Sequence, residues 1–271
     1  MIIDKIYKYL SSEELKLDEY LLKEVADLAQ HNFARQFMEE KEERKLRLSS
    51  SGNCVRKLAY IHLGYPEEGR EIDSRAKITF FLGDLVELAL LKLAKLSGCY
   101  IFATGLNQIE VSINIDGVEI VGHPDGFLLH EGNLYIVECK SMSDYGFKDF
   151  EKGKISYDYL AQVNMYMYAL KLDKAVFVAL DKNNSLLGER VVKRDNKIIK
   201  ECLERFRKAI RATDNNLPER EYKPDEKGKL PWQCGYCSYW RLCYPEAERV
   251  LVGNHYELFV KKKEKRSEIS G

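Results

Sequence analysis

Apolar positions recur first with a helical period, then with a strand period, then with both in alternation. Residues 1–47 are rich in Leu, Glu and Lys and predict helices, the clearest over Tyr20–Glu43. The charge run Lys41–Arg47 reads as the solvated end of that helix. Residues 49–53, Ser-Ser-Ser-Gly-Asn, carry loop and helix-cap chemistry, and Cys54 opens a short helix toward Tyr60 and Leu63. After a polar connector over 65–74, Arg75–Leu96 is the most apolar helix in the chain. Phe80, Phe81, Leu82, Leu85, Val86, Leu88, Ala89 and Leu91 leave little room for a polar face, so burial on several sides is expected. Gly83 would allow another backbone to approach closely there. Glu87, flanked by Val86 and Leu88, is an ionisable group in an apolar setting. It is either paired, liganded, or placed at a wet edge.

Strands are expected at Tyr100–Thr104, Gln108–Asn114 and Gly117–Val121. The polar insert Gly122-His123-Pro124-Asp125-Gly126 precedes the apolar run Phe127–Leu129. A His-Glu-Gly-Asn turn follows, then a further run, Leu134–Val137, ending in Glu138-Cys139-Lys140. Residues 141–156 read as a polar loop. Ser156–Leu172 predicts a helix with Ala161, Met165, Tyr168, Ala169 and Leu172 at core spacing, and with Gln162 and Tyr166 sharing one face. Lys174–Leu180 reads as a short apolar strand of the kind buried in a sheet interior, and Leu187–Lys193 as a further strand. A helix capped by Asp195 runs to about Ala212 on a stripe of Ile198, Ile199, Cys202, Leu203, Phe206 and Ile210. The expected divisions are a helical segment 1–48, a core 49–213, a cysteine-rich segment 214–250 and a basic tail 251–271, with Lys261–Arg266 solvated.

Charge narrows the function classes. Of the 271 residues 32% are charged, yet the formal net charge is zero, so any nucleic-acid site must be a local patch. No apolar run approaches the roughly 18 residues that span a bilayer, and the N-terminus lacks a signal-peptide core, so a cytoplasmic location is expected. Seven cysteines in that setting favour metal binding over pairing.

The candidate chemistry begins at Asp125, Glu138 and Lys140. Side chains alternate along a strand, so Glu138 and Lys140 share a face, Cys139 points oppositely, and Asp125 sits beside them on the partner strand. His123 shares that face unless Pro124 breaks the alternation. Two carboxylates about 4 Å apart repel by roughly 4 kcal/mol at an effective dielectric near 20. Lys140 offsets part of this. A hard divalent cation, Mg²⁺ or Mn²⁺, offsets more, whereas a plain strand-end salt bridge needs none. The second site is Cys234-x2-Cys237-x5-Cys243, whose clustered thiolates need a soft cation. Cys99, Cys139 and Cys202 lie on apolar positions, so Cys54, in a polar loop, is the best fourth ligand. The spacing admits zinc or an iron–sulfur cluster.

The ordered set Cys54-x-Arg56-Lys57, Gly83-x3-Glu87, Gly122-x2-Asp125, Glu138-x-Lys140, Gln162-x3-Tyr166 and C-x2-C-x5-C resembles RecB-like nucleases of the PD-(D/E)xK superfamily. Specifically it looks like the iron–sulfur branch, with its CRISPR-associated RecB-like exonucleases and AddB-type nuclease domains. The resemblance covers roughly residues 50–245, and one departure is Glu87, where many members carry His. It implies an α/β, restriction-endonuclease-like core, a mixed central sheet flanked by helices, with the strands bearing Asp125 and Glu138-Lys140 at the sheet's edge. It implies N-terminal helices and a [4Fe–4S] clasp on Cys54, Cys234, Cys237 and Cys243. Glu87, Asp125, Glu138 and the Cys139 carbonyl would bind Mg²⁺ or Mn²⁺. Lys140 would orient or deprotonate the attacking water and stabilise developing charge. Gln162 and Tyr166 would position the DNA end or Lys140, and Arg56 and Lys57 would contact the DNA backbone. The implied activity is that of a metal-dependent DNA nuclease, an exonuclease on single strands or DNA ends, with a recombination, helicase or CRISPR-adaptation partner. The rival readings are a catalytically silent DNA-binding scaffold and a zinc-clasped nuclease.

Overall fold

A mixed five-stranded sheet organises the larger part of the molecule. The computed structural model describes residues 1–13, 18–38, 44–68, 74–253 and 255–260, and the chain forms two units. The first is Met1–Asn53 with Ser74–Arg207, the second Cys54–Asp73 with Lys208–Gly271.

In the first unit the sheet has the strand order β1 (Tyr100–Phe102), β4 (Gly126–His130), β5 (Asn133–Met142), β6 (Lys174–Asp181), β7 (Leu187–Lys193). Only β5 and β6 are parallel; the other pairs are antiparallel. β2 (Val111–Ile115) and β3 (Val118–Gly122) form a separate hairpin. Glu131 and Gly132 join β4 to β5 with φ of 48° and 72°, the left-handed pair that a tight two-residue hairpin demands. One correction concerns the sheet's edge. β1 and β7 form the edges, so β5, carrying Glu138 and Lys140, is the central strand.

One face of the sheet is covered by α1 (Ile3–Leu10) and α4 (Ser74–Leu96). Ile2, Ile6, Leu90, Leu91 and Ala94 pack there on Val137, Cys139, Val176 and Val178. The other face carries α6 (Tyr157–Leu170), which packs on β5 and β6. Ser156 caps α6, its hydroxyl accepting the Tyr159 N–H at 3.4 Å. Asp195 caps α7 (Asn196–Ile210) by accepting the Lys197 N–H at 2.8 Å. The apolar β6 is buried along most of its length, as its sequence requires.

Several expectations are corrected. Residues 141–151 are not a loop, which is confined to 152–156: β5 continues to Met142, Ser143 caps α5 (Asp144–Glu151), and Phe147 and Phe150 are buried three residues apart. α4 is not buried on several sides. Ile78, Phe80 and Leu82 are 52%, 44% and 53% exposed, while Phe81 meets the Phe33 and Phe37 rings of α2 (Glu19–Phe37) at 5.6 and 5.5 Å. A Cβ added at Gly83 would meet nothing within 4 Å outside its own helix among the described residues, so the expected close backbone approach is not found there. On α6, Tyr168 is 37% exposed and the buried face includes Val163, Asn164, Tyr166 and Met167.

The second unit contains α3 (Val55–His62), the short helices α8 (Trp232–Gly235) and α9 (Trp240–Cys243), and an unforeseen hairpin, β8 (Ala247–Val252) with β9 (His255–Val260). Its core gathers Leu230, Cys234, Trp240, Tyr244, Ala247 and Leu258. Tyr60 stacks on Tyr239 with ring centroids 5.5 Å apart. The basic run Lys261–Arg266 and residues 41–43 of the earlier charge run lie outside the described residues. No helix among the described residues is long and apolar enough to cross a membrane.

Candidate active site

The pleat of β5 brings the expected chemistry together. Gly126 pairs with Val137, which sets Asp125, one residue ahead of β4, beside Glu138. Cys139 points to the opposite face, into the apolar cluster under α1 and α4. Its main chain still serves the site, because the Cys139 N–H donates to Asp125 Oδ2 at 2.7 Å.

Glu138 is 2% exposed and is the hub. Its Oε1 accepts from Lys140 Nζ at 2.6 Å and from Gln162 Nε2 at 2.6 Å. Its Oε2 is buried with no hydrogen-bond partner among the described residues. Gln162 also reaches the Tyr166 hydroxyl at 3.4 Å, and that hydroxyl donates to the His123 carbonyl at 3.2 Å. The His123 ring turns away toward Glu110, 3.5 Å distant, so only the main chain of His123 faces this network.

The electrostatics follow from crowding acids in a dry place. Burial, then the charges of Glu138 and Glu87, hold the Asp125 carboxyl well above its ordinary value. Burial first, then Glu138 and Asp84, pushes Glu87 up to about 7. Burial pulls the Lys140 ammonium down, but Glu138 and Asp125 outweigh it and hold the group above its ordinary value. Lys140 is therefore charged in the metal-free site, which suits orienting water and stabilising charge better than accepting a proton. Burial also raises the Tyr166 phenol, so it stays a neutral donor.

Two partners had escaped the sequence reading. Gln108 Nε2 donates to Glu87 Oε1 at 3.0 Å, and Lys140 Nζ lies 4.8 Å from the centre of the Tyr159 ring. Tyr159, Gln162 and Tyr166 recur at helical spacing, a stripe that would have flagged Tyr159. Gln108 follows a short 3-10 turn at Gly105–Asn107 and had no such signal.

The other expected residues lie in the second unit. Arg56 is committed locally: its Nε donates to the Tyr60 hydroxyl at 2.9 Å and its Nη1 to the Pro218 carbonyl at 2.8 Å. Cys54 is the N-cap of α3, its sulfur accepting the Lys57 N–H at 3.4 Å. Burial pushes the Cys54 thiol up to about 12, and the nearby Cys237 and Cys243 add to this. Burial does the same to Cys234, with Cys237, Cys243 and Cys54 contributing. None of the seven cysteines is in a disulfide. Among the described residues no group of three or more His, Cys, Asp or Glu side chains is assembled in metal-holding geometry.

Gly122 shows how tightly Tyr166 is held. A Cβ there would lie 2.6 Å from Tyr166 Cε1 and 3.0 Å from Leu48 Cβ. Gly122→Ala should therefore cost about 1–3 kcal/mol and displace the Tyr166 ring. Thermal melting of the variant checks this, and an unchanged melting temperature would contradict it.

The solved structure of SSO0001 is 17% identical, with a TM-score of 0.51 over 80% of this chain and 94% of that one. The alkaline exonuclease LHK-Exo from Laribacter hongkongensis is 16% identical, with a TM-score of 0.45 over 67% of this chain and 90% of that one. No curated protein matches. The family model described as the PD-(D/E)XK nuclease superfamily matches residues 2–244. This α/β chain, with its mixed sheet flanked by helices, belongs to the PD-(D/E)XK nuclease superfamily.

Proposed function

We propose that this protein is a Mg²⁺- or Mn²⁺-dependent deoxyribonuclease of the RecB-like iron–sulfur branch that hydrolyses phosphodiester bonds from DNA ends in the cytoplasm. The observation that carries the reading is Glu138 Oε2. It is a buried carboxylate oxygen without a donor among the described residues, set among acids that already raise one another. Such an atom is costly unless a cation or a proton meets it. Glu87, Asp125, Glu138 and the Cys139 carbonyl are hard oxygen donors that fit Mg²⁺ or Mn²⁺. A divalent cation bound there supplies neutralisation of phosphate charge and a lowered pKa for water.

The chain's own residues do the rest. Gln162 and Lys140 fix Glu138 Oε1, so Oε2 is the oxygen that would hold the cation. Lys140 presents its remaining N–H groups to the attacking water or to the phosphate oxygen on which charge develops. Gln162 and Tyr166 hold Lys140 and Glu138 in register for the DNA end. The test is digestion of end-labelled linear DNA and closed circular DNA with Mn²⁺, Mg²⁺ or excess chelator. Metal-dependent loss of linear DNA alone supports the proposal, and activity in chelator contradicts it.

Glu87 gives this a pH signature. Its folded value near 7 exceeds the ordinary carboxyl value, so the folded metal-free protein holds this proton more tightly than the unfolded chain does. That contribution to stability is full below the ordinary value and is lost as pH rises through about 7. Cation binding displaces the proton, so Mn²⁺ affinity should rise about tenfold between roughly pH 6 and roughly pH 8. Calorimetric titration checks it, and Glu87→Gln should flatten the profile. A profile that is flat in the unmutated protein would remove Glu87 from the ligand set.

Cys54, Cys234, Cys237 and Cys243 we assign to a [4Fe–4S] cluster that acts as a structural clasp within the second unit. Thiols pushed up to about 12 stay protonated at neutral pH unless a soft cation takes them. Trp240, Tyr239 and Tyr244 give the dry, aromatic surroundings. Anaerobically purified protein should be brown with about four irons, and Cys54→Ala should bleach it and lower its melting temperature. Colourless protein with stoichiometric zinc would defeat the iron assignment.

A further inference from the structure

Away from the carboxylates, a cavity of about 560 Å³ opens between the tip of the β2–β3 hairpin, the end of α6 and α7. That volume lies within the range of ligand pockets, about 300–1,000 Å³. Tyr166 and Tyr168 are two residues apart on α6, hence about 200° around it, so this cavity lies on the other side of α6 from Glu138. Lys171, Arg194 and Arg207 line it against one acid, Asp116, with Tyr168 and Leu203 as apolar wall. The excess of cations selects an anion.

Two features go beyond charge. Arg194 Nε is buried with no acceptor among the described residues, an unmet donor that carries a cost. The Arg194 guanidinium also lies 5.9 Å from the centre of the Tyr168 ring, which is partly exposed. Lys171 has an ordinary role in balancing the dipole at the C-terminus of α6, but that role uses neither Arg194 nor Arg207. Arg207 also pairs with Glu204 at 2.9 Å. A planar guanidinium beside an aromatic face suits a phosphate joined to a flat base.

We propose that this cavity is a second nucleotide-phosphate site, with the phosphate on Arg194, Arg207 and Lys171 and the attached base against Tyr168. The phosphate belongs either to a DNA strand or to a free mononucleotide. The site is independent of the cleavage chemistry and is tested without it.

The experiment is calorimetric titration in excess chelator with a deoxynucleoside 5′-monophosphate, a short single-stranded oligonucleotide and inorganic phosphate. Arg194→Gln and Tyr168→Ala are compared with the unmutated protein. Lys171→Asn is the safeguard against misfolding, because Lys171 is exposed and has φ of 55°, a conformation Asn accepts. Nucleotide affinity should fall about tenfold in Arg194→Gln and severalfold in the other two, with melting temperatures of Lys171→Asn and Tyr168→Ala nearly unchanged. A loss confined to the mononucleotide assigns a free nucleotide, and a loss with the oligonucleotide assigns a strand. Absent binding, affinities unchanged in all three variants, or inorganic phosphate binding as tightly as the nucleotide overturns the proposal. Because the readout is binding without metal, its failure is separate from failure of the digestion assay.

Discussion

Asp125→Asn is expected to abolish DNA cleavage, by about 10³-fold or more, while raising the melting temperature of the metal-free protein. The two effects share one cause. Burial and the charges of Glu138 and Glu87 make the Asp125 carboxylate unfavourable in the folded state. An amide of the same shape keeps an oxygen for the Cys139 N–H, now 2.7 Å from Oδ2, and removes the charge. About 1 kcal/mol of relief is worth roughly 2–4 °C in a domain of this size. The same charge is what a cation needs, so stability rises as activity is lost. A drop in both would mean that Asp125 serves the fold rather than the chemistry.

Lys140→Met should lose turnover by about 10²–10³-fold and destabilise the protein by about 3 kcal/mol. Here the signs of the two effects agree. The Lys140 ammonium is the cation closest to Glu138, at 2.6 Å, and without it a buried charge faces only Gln162. DNA binding in chelator should be retained, which separates a role in the reaction from a role in holding substrate. Denaturant unfolding and single-turnover digestion measure the two effects separately. Wild-type turnover in a folded Lys140→Met protein would remove Lys140 from the mechanism.

What could be read from the sequence, and what could not, divides along a physical line. Period-two alternation is a local rule, so the sharing of one face by Glu138 and Lys140, with Cys139 turned away, was legible before any fold was known. The four-residue spacing of Gln162 and Tyr166 was legible for the same reason. The position of β5 in the sheet was not, because strand order depends on which distant segments pair, and β1 and β7 took the edges. α4 misled because apolar side chains signal a wish for burial without saying what covers them. Phe81 found Phe33 and Phe37, while Ile78, Phe80 and Leu82 stayed half exposed. α5 was hidden by its polar surface, although its Ser143 cap and the Phe147–Phe150 spacing carried the signal. The β8–β9 hairpin was overlooked beside the basic run that follows it. Arg56 was read from its place in the Cys54-x-Arg56-Lys57 motif, and its partners Tyr60 and Pro218, the second 162 residues away, were not legible from that spacing.

Under the proposed function, Glu138, Asp125 and Glu87 hold a divalent cation. Anomalous diffraction from Mn²⁺-soaked crystals tests it most directly. The account predicts one strong peak within coordination distance of Glu138 Oε2 and an Asp125 oxygen, lost in Glu138→Gln. A protein that cleaves DNA under those conditions with no peak at these carboxylates would contradict it.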